Sequence, residues 1–146
     1  MSPAVGVSDE RKAATLARAD YLLVEGVRPT IDQRLSNSYP QALRTDPQRY
    51  AEIRSRRLAA GVPGMSALTR LVATMDLDAD YADIHCPTLI VAGTYDGDRP
   101  PSVVKPVAER ISGARYVELA TGHFMPMQTP ELVLETIVPF IDSCTV

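Results

Sequence analysis

The stretch CPTLIVAGTYDGDRPP, residues 86–101, decides the fold class. Its apolar segment LIVA, residues 89–92, is too short for a typical helix and is bounded by Pro87 and Gly93. A short apolar run between such residues is typical of a parallel strand that is covered on both faces. We therefore predict a buried strand over residues 88–92, followed by a polar loop.

The residues that follow predict a helix, a second strand and a closing helix. PPSVVKPVAERISG, residues 100–113, begins with prolines, places its apolar residues on one side and ends at a glycine, as helices often do. ARYVELA, residues 114–120, alternates in polarity as a strand does. Strand, helix and strand predict a right-handed βαβ unit. Thr129 and Pro130 should begin the closing helix, and Pro139 should limit its last turn.

Residues 1–84 read as a helical region, and residues 85–146 as the sheet-containing region. Ser8 and the Asp46-Pro47 pair are typical helix starts, and Gly26 and Gly61 are typical ends. We predict four helices in the first region, with Arg54, Arg56 and Arg57 of the third in solvent. The predicted apolar faces comprise Ala13, Leu16, Ala17, Tyr21 and Val24; Val27, Ile31 and Leu35; Tyr50 and Ile53; and Met65, Leu68, Leu71, Val72 and Met75.

Composition limits the classes of function. The chain has 146 residues, 45% of them hydrophobic and 23% charged, which is typical of a soluble globular protein. Its net charge is −3 and its basic residues are scattered, so neither nucleic acid nor a membrane surface is an expected partner. No run is long enough to span a bilayer and no signal peptide is recognised, so the cytoplasm is the expected location. Cys86, at a predicted buried strand start, and Cys144 should be free thiols.

Two loops after the predicted strands carry groups with acid and base chemistry. Asp96 and Asp98 follow the first strand, and His123 follows the second, directly after Gly122. The carboxyl ends of parallel strands meet at one edge of a sheet, and neighbouring strands lie about 4.8 Å apart. We therefore expect an aspartate to hydrogen-bond His123. Asp96 is the favoured acid, although it could instead shape a turn with Gly97, and Asp98 could cap the following helix.

Other residues near these loops have ordinary alternatives. His123 alone could simply bond a loop carbonyl. Met125 and Met127 could line an apolar pocket or fill gaps in the core. His85 and Cys86 are neighbours, chelate poorly and have no second ligand pair at usable spacing, so we predict neither a metal nor a cofactor.

Taken together, CPTLIVAGTYDGDRPP and ARYVELATGHFMPMQTPE resemble the C-terminal part of an alpha/beta-hydrolase. In that family the second-to-last strand delivers the acid of a catalytic triad and the last strand delivers its histidine. The resemblance covers about residues 86–142 and implies that Asp96 and His123 are catalytic. Residues 1–84 resemble the helical cap of such enzymes, most like the esterase and enol-lactonase type. The implied fold class is α/β: a helical cap-like segment followed by a βαβα unit, the C-terminal half of the hydrolase sheet.

A nucleophile is not recognised in the sequence. The family's serine lies in a Gly-x-Ser-x-Gly turn between a strand and a helix, together with a glycine-rich oxyanion loop. GMSAL, residues 64–68, places Ser66 after Gly64 but lacks the second glycine and a preceding strand, so it fits a cap helix better. The chain begins where the family would leave its sixth strand, which suggests a fragment, a split subunit or a truncated relative.

Two hypotheses follow from this inventory. In the first, the chain is the acid-and-base part of a serine hydrolase for a carboxylic ester or lactone, completed by an N-terminal hydrolase half. In the second, it is a non-catalytic module that self-associates or binds a partner protein or an apolar ligand. An apolar strand with few neighbours invites pairing with another chain, so we do not expect a monomer. The expected partner is either a second copy of the chain, in a homo-oligomer, or a complementary N-terminal hydrolase half.

Overall fold

The structure is a computed structural model that describes residues 1–3 and 5–144. Ala4 and the last two residues of the predicted 85–146 region lie outside the described residues. The first half is helical, as the sequence predicts. Its helices are α1 (Asp9–Glu25), α2 (Ile31–Ser38), α3 (Pro47–Ala59) and α4 (Val62–Thr74), with 3₁₀ turns at Arg28–Thr30, Gln41–Leu43 and Asp80–Asp83.

As far as Cys144, the second half contains two parallel strands and three helices. They are β1 (Leu89–Gly93), α5 (Pro101–Arg110), β2 (Arg115–Leu119), α6 (Met125–Gln128) and α7 (Pro130–Cys144). The strands pair in parallel, with Leu89 opposite Arg115 and Gly93 opposite Leu119. The predicted βαβα order is therefore confirmed, with the short α6 added between β2 and α7.

Helices cover both faces of the small sheet. On one face, Ile90 and Ala92 of β1 belong to a buried cluster with residues of α5. These are Val104 and Val107, together with Ile111 directly after the helix. On the other face, Val91 and Leu119 pack with Met125 and Val133 of α6 and α7. Strand β1 is buried at four of its five residues, as its apolar sequence predicts.

Helices α1 and α4 pack against each other, and the residues they bury are not those of the predicted apolar faces. The buried residues are Ala19 and Leu22 on α1, and Ser66 and Ala73 on α4. Ser66 donates a hydrogen bond from Oγ to the Ala19 carbonyl at 2.8 Å. Small side chains allow two helices to approach closely, and that contact selects the buried face. The predicted faces were wrong for residues such as Val24, which is 80% exposed.

Two local expectations in the second half were also wrong. Helix α7 continues through Pro139 to Cys144. Pro139 is exposed, so the backbone hydrogen bond that proline removes is lost where water can replace it. Cys86 is exposed rather than buried, because β1 begins three residues later, at Leu89.

The outer edge of β1 is almost unpaired. On that side, the Ser2 N–H donates to the Val91 carbonyl at 3.0 Å, and the Asp96 N–H of the following turn donates to the Gly93 carbonyl at 3.1 Å. Unpaired strand edges present free N–H and C=O groups to other chains.

Within the described residues, no helix combines the length and apolar character needed to cross a bilayer.

We predict that the isolated chain associates in solution, because within residues 1–3 and 5–144 no strand pairs with the outer edge of β1, and apolar side chains, among them Leu68 and Leu71, are exposed. Light scattering coupled to size exclusion at micromolar concentration should give a mass above the 15.9 kDa of one chain. A stable peak at that mass with a cooperative thermal transition would contradict the prediction.

Candidate active site

The loop after β1 folds around the carboxylate of Asp96. Asp96 Oδ1 accepts hydrogen bonds from the backbone N–H groups of Asp98 at 2.9 Å and Arg99 at 2.8 Å. Such bonds from an aspartate to residues two and three positions later form an Asx turn. Asp96 therefore shapes the turn, which is the alternative role that the sequence offered for it. This role uses Oδ1 and leaves Oδ2 for other partners.

The second loop places His123 through close backbone packing at Gly122. A Cβ atom on Gly122 would lie 2.7 Å from the Ser38 carbonyl oxygen and 2.8 Å from Gln128 Oε1. The glycine therefore permits an approach that no other residue allows. Gln128 is buried and bridges the loop, since its Oε1 accepts from Phe124 N and its Nε2 donates to Ser38 O.

The carboxyl end of α2 joins the two loops. The last carbonyl groups of a helix have no partner within the helix and need one elsewhere. The Asn37 carbonyl accepts from Gly97 N at 3.0 Å, and the Ser38 carbonyl accepts from His123 N at 3.0 Å. One helix end thus fixes the acid loop and the histidine loop relative to each other.

This arrangement brings Asp96 and His123 together. His123 Nδ1 lies 2.9 Å from Asp96 Oδ2, the hydrogen-bonding distance that the sequence leads us to expect. The same oxygen accepts a bond from Ser2 Oγ at 2.7 Å. The Asp96 side chain is fully buried, whereas that of His123 is 30% exposed. The pair therefore presents one face of the imidazole to its surroundings and keeps the carboxylate inside.

The buried carboxylate of Asp96 stays ionised. Burial by itself raises the pKa of Asp96, because it disfavours the charged form. The hydrogen bonds from His123, Ser2 and Arg99 N act in the opposite direction and together leave the pKa below its ordinary value. A charged acceptor next to Nδ1 favours the imidazole tautomer that carries its proton on Nδ1.

The other residues considered from the sequence lie in different roles. Asp98 does not cap α5 but pairs with Arg34 at 3.3 Å. Ser66 is buried between α1 and α4, with its hydroxyl already bonded to a carbonyl. Met125 is fully buried, and Met127 packs against the core between α2 and α3, so both fill the core.

His123 opens onto a cavity of about 500 Å³ beneath the helical region. The lining is apolar along α4, at Met65, Leu68 and Val72. Asp98 is the one acidic residue among the described residues that line it. Five arginines also line the cavity: Arg11, Arg18, Arg34, Arg57 and Arg99. Arg57, predicted to lie in solvent, is half-buried here. No serine or cysteine lines the cavity in the described part of the chain.

Several of these residues could not be found from sequence motifs. The arginines are scattered along the chain and converge only in the folded structure. Ser2 lies 94 positions from Asp96. The contacts of Asn37 and Ser38 use backbone carbonyls, which carry no residue signature. Among the described residues, no group of three or more His, Cys, Asp or Glu side chains could hold a metal ion.

Solved structures share this arrangement of elements. A thermophilic esterase from Thermogutta terrifontis superposes with a TM-score of 0.86 at 24% identity, over 99% of this chain and 54% of its own. A hydrolase from Pseudomonas aeruginosa PA01 gives 0.83 at 28% identity, over 94% and 52%. The enol-lactonase from Burkholderia xenovorans LB400 gives 0.82 at 25% identity, over 95% and 53%. The chain has the fold of the C-terminal part of an alpha/beta-hydrolase.

Sequence comparison adds a curated relative of this chain. The chain is 35% identical over 80 residues to pyrrolizixenacetamide deacetylase from Xenorhabdus hominickii. The aligned residues cover 55% of this chain and 30% of that protein. No protein-family model matches the chain. The chain thus spans about half the length of the similar solved structures and less than a third of the curated relative.

We predict that Gly122→Ala displaces the histidine loop. The added methyl group would meet the Ser38 carbonyl and Gln128, so the variant should lose about 1–3 kcal/mol of unfolding free energy. Urea denaturation measures this loss. Gly64→Ala is the matched control, because a Cβ there meets nothing within 4 Å and alanine favours the helix. Equal stability of both variants would contradict the close approach at Gly122.

We also predict that Asp96→Asn lowers stability at neutral pH by about 1–3 kcal/mol, because an amide has a single acceptor oxygen. That oxygen cannot accept from the backbone N–H groups of Asp98 and Arg99 and also from Ser2 and His123. The pKa of Asp96 is lowered from its ordinary value of 3.8, so its contribution is present above that value and is lost as the pH falls through the folded-state pKa.

Unfolding free energies at pH 7 and pH 3 check this sign. The difference between the wild type and Asp96→Asn should narrow at pH 3. Asp142→Asn, at an exposed position of α7, should show no such convergence. A difference that stays constant or widens toward pH 3 would show that Asp96 is not a stabilising carboxylate.

Proposed function

We propose that the chain is the acid-and-base part of a serine hydrolase that acts on a carboxylic ester or lactone. Asp96 is the acid that orients the histidine, and His123 is the general base. The serine and the oxyanion donors come from a complementary N-terminal hydrolase portion. The proposed activity belongs to the complex of both portions and not to this chain alone.

The hydrogen bond between Asp96 Oδ2 and His123 Nδ1 carries the proposal. It leaves Nε2 as the nitrogen available for a hydroxyl group, and within residues 1–3 and 5–144 no hydrogen-bond partner occupies Nε2. His123 is also the one residue of the pair that lines the cavity. A buried acid behind an accessible imidazole is the arrangement that activates a serine hydroxyl.

The reaction follows from this geometry in two acyl-transfer steps. His123 Nε2 takes the proton of the serine hydroxyl as the serine oxygen bonds to the carbonyl carbon, and the resulting imidazolium is stabilised by Asp96. The proton then passes to the departing alkoxide as the ester bond breaks. In the second step, His123 Nε2 takes a proton from water as the water oxygen bonds to the acyl carbon. The bond between that carbon and the serine oxygen then breaks, the imidazolium returns its proton to the serine oxygen, and the carboxylic acid is released.

The names of similar proteins support acyl chemistry. They include an esterase, an enol-lactonase and a deacetylase, which all act at a carboxylic acyl group. Because the chain spans only part of these proteins, their individual substrates are not transferred to it. The shared chemistry supports an ester or a lactone as the substrate class. The shape and charge of the cavity determine which ester or lactone binds.

A non-catalytic role is the second candidate. The nearly unpaired edge of β1 and the exposed Leu68 and Leu71 favour association with another chain, whether a second copy or a different protein. A purely structural module would have no use for an Asp-His pair at a cavity. The two candidates therefore differ in whether His123 matters once a partner is bound.

We predict that the chain alone neither hydrolyses an activated phenyl ester faster than its His123→Ala variant nor reacts with a fluorophosphonate. Co-expression with the N-terminal portion of a similar esterase should restore both activities, because nucleophile, base and oxyanion donors then share one site. Co-elution in size exclusion establishes assembly. Ester hydrolysis and labelling are then measured on the isolated complex.

Controls separate the candidates. In the complex, His123→Ala should lower kcat by about 10³-fold or more, whereas His85→Ala, at an exposed position away from the cavity, should not change it. Assembly without hydrolysis would favour the non-catalytic module. Stoichiometric labelling of the chain alone would show that it contains its own nucleophile.

A further inference from the structure

The cavity beside His123 concentrates positive charge in a chain whose net charge is negative. The chain carries a formal charge of −3, yet five arginines and one aspartate line the cavity. Four of these arginines, Arg18, Arg34, Arg57 and Arg99, are half-buried, and we call them the arginine cluster. Arg11 lies at an exposed position near them.

Asp98 is the one acidic residue among the described residues that line the cavity, so it cannot balance the charge of all four arginines of the cluster. Asp98 pairs with Arg34 at 3.3 Å, and the guanidinium of Arg99 donates to the backbone carbonyl of Asp98. Neither Arg18 nor Arg57 forms an ion pair with any residue of 1–3 or 5–144. The buried Nε of Arg34 also has no hydrogen-bond partner in that part of the chain.

Placing these cations together carries an electrostatic cost. Burial lowers the pKa of Arg18 and of Arg57, and the neighbouring Arg34 lowers both further, while Asp98 opposes this effect without reversing it. Burial also lowers the pKa of Arg99. A guanidinium nevertheless keeps its proton, so the cost is not relieved by deprotonation. An anion bound among these groups would relieve it.

We propose that the arginine cluster binds a carboxylate carried by the substrate, so that the substrate is an ester or lactone with a second, anionic end. The guanidinium fork matches the two oxygens of a carboxylate and binds them in a bidentate manner. The apolar side of the cavity, at Met65, Leu68 and Val72, would hold a short hydrocarbon segment. This substrate assignment rests on the proposed hydrolase function, but the carboxylate site itself does not.

The two sides of the cavity favour an organic carboxylate over inorganic phosphate. Phosphate would satisfy the arginines and leave the apolar side in contact with water. A short carboxylate-bearing chain would satisfy the arginines and bury apolar surface in the same cavity, which adds free energy of binding. The volume of about 500 Å³ suits a small organic molecule.

Binding to the intact chain tests the site without catalysis. Monomethyl succinate carries one carboxylate and one ester, and dimethyl succinate is its neutral counterpart. In an NMR titration at low salt, monomethyl succinate should shift the resonances of His123 and of the side-chain Nε–H groups of the cluster in a saturable way. Dimethyl succinate should bind at least about tenfold more weakly, and added salt should weaken monomethyl succinate binding.

Variants distinguish a binding role from a structural one. Arg18→Gln should weaken monomethyl succinate binding at least about tenfold and leave Tm unchanged or raised, because an unpaired cation is removed from a positive site. Arg57→Gln is a second test of the same loss of binding. Arg28→Gln is the matched control, since Arg28 is exposed and lies outside the cavity.

Several results would overturn the proposal. These are equal binding of both succinate esters, unchanged binding in both Arg18→Gln and Arg57→Gln, or inorganic phosphate binding as tightly as monomethyl succinate. Absence of any binding would remove the carboxylate site and leave hydrolysis of neutral esters open. Carboxylate binding together with an inactive completed enzyme would instead refute the hydrolase function and retain the site.

Discussion

The buried carboxylate of Asp96 is the group on which the candidate site depends. Its two oxygens accept hydrogen bonds from the Ser2 hydroxyl, the His123 ring and the backbone N–H groups of Asp98 and Arg99. A buried charge is costly unless such bonds replace its hydration. The carboxylate therefore holds together three segments that are far apart in sequence: the start of the chain, the loop after β1 and the loop after β2.

A helix end supports this carboxylate from the side of the helical region. The Asn37 and Ser38 carbonyls bond the two loops, and Gly97 and Gly122 leave room for that approach. The terminal carbonyls of the helix need donors, and the N–H groups of the two loops need acceptors. Each group therefore provides the hydrogen-bond partner that the other needs. The position of His123 thus depends on the packing of α2 as much as on the sheet. A change in the helical region can alter the site without touching it.

The sequence predicts the parts of the fold whose cause is local. Strand β1 follows from an apolar run between Pro87 and Gly93, α3 from Asp46 and Pro47, and the meeting of Asp96 with His123 from the order of strands and loops. The buried faces of α1 and α4 could not be predicted, because three of their four buried residues, Ala19, Ser66 and Ala73, are small and give a weak apolar pattern. The arginine cluster was missed because its members come together only through tertiary packing.

The site combines two electrostatic environments. Asp96 and His123 form a pair in which an anion sits behind the imidazole, while the arginines face the cavity in front of it. This arrangement would let a negative group of a substrate bind in the cavity without meeting the Asp96 carboxylate. It also places the open edge of β1 next to the segment that bonds Asp96, since Ser2 contacts both. Assembly with another chain and the geometry of the acid are therefore physically linked.

The central claim is that Asp96 fixes the tautomer and orientation of His123. Long-range ¹⁵N–¹H NMR of the imidazole rings at slightly alkaline pH tests it directly, with the exposed His85, the other histidine of the chain, as internal reference. His123 should carry its proton on Nδ1, with Nε2 unprotonated, and Asp96→Asn should abolish this preference. A proton on Nε2 in the wild type, or a tautomer unchanged in Asp96→Asn, would contradict it.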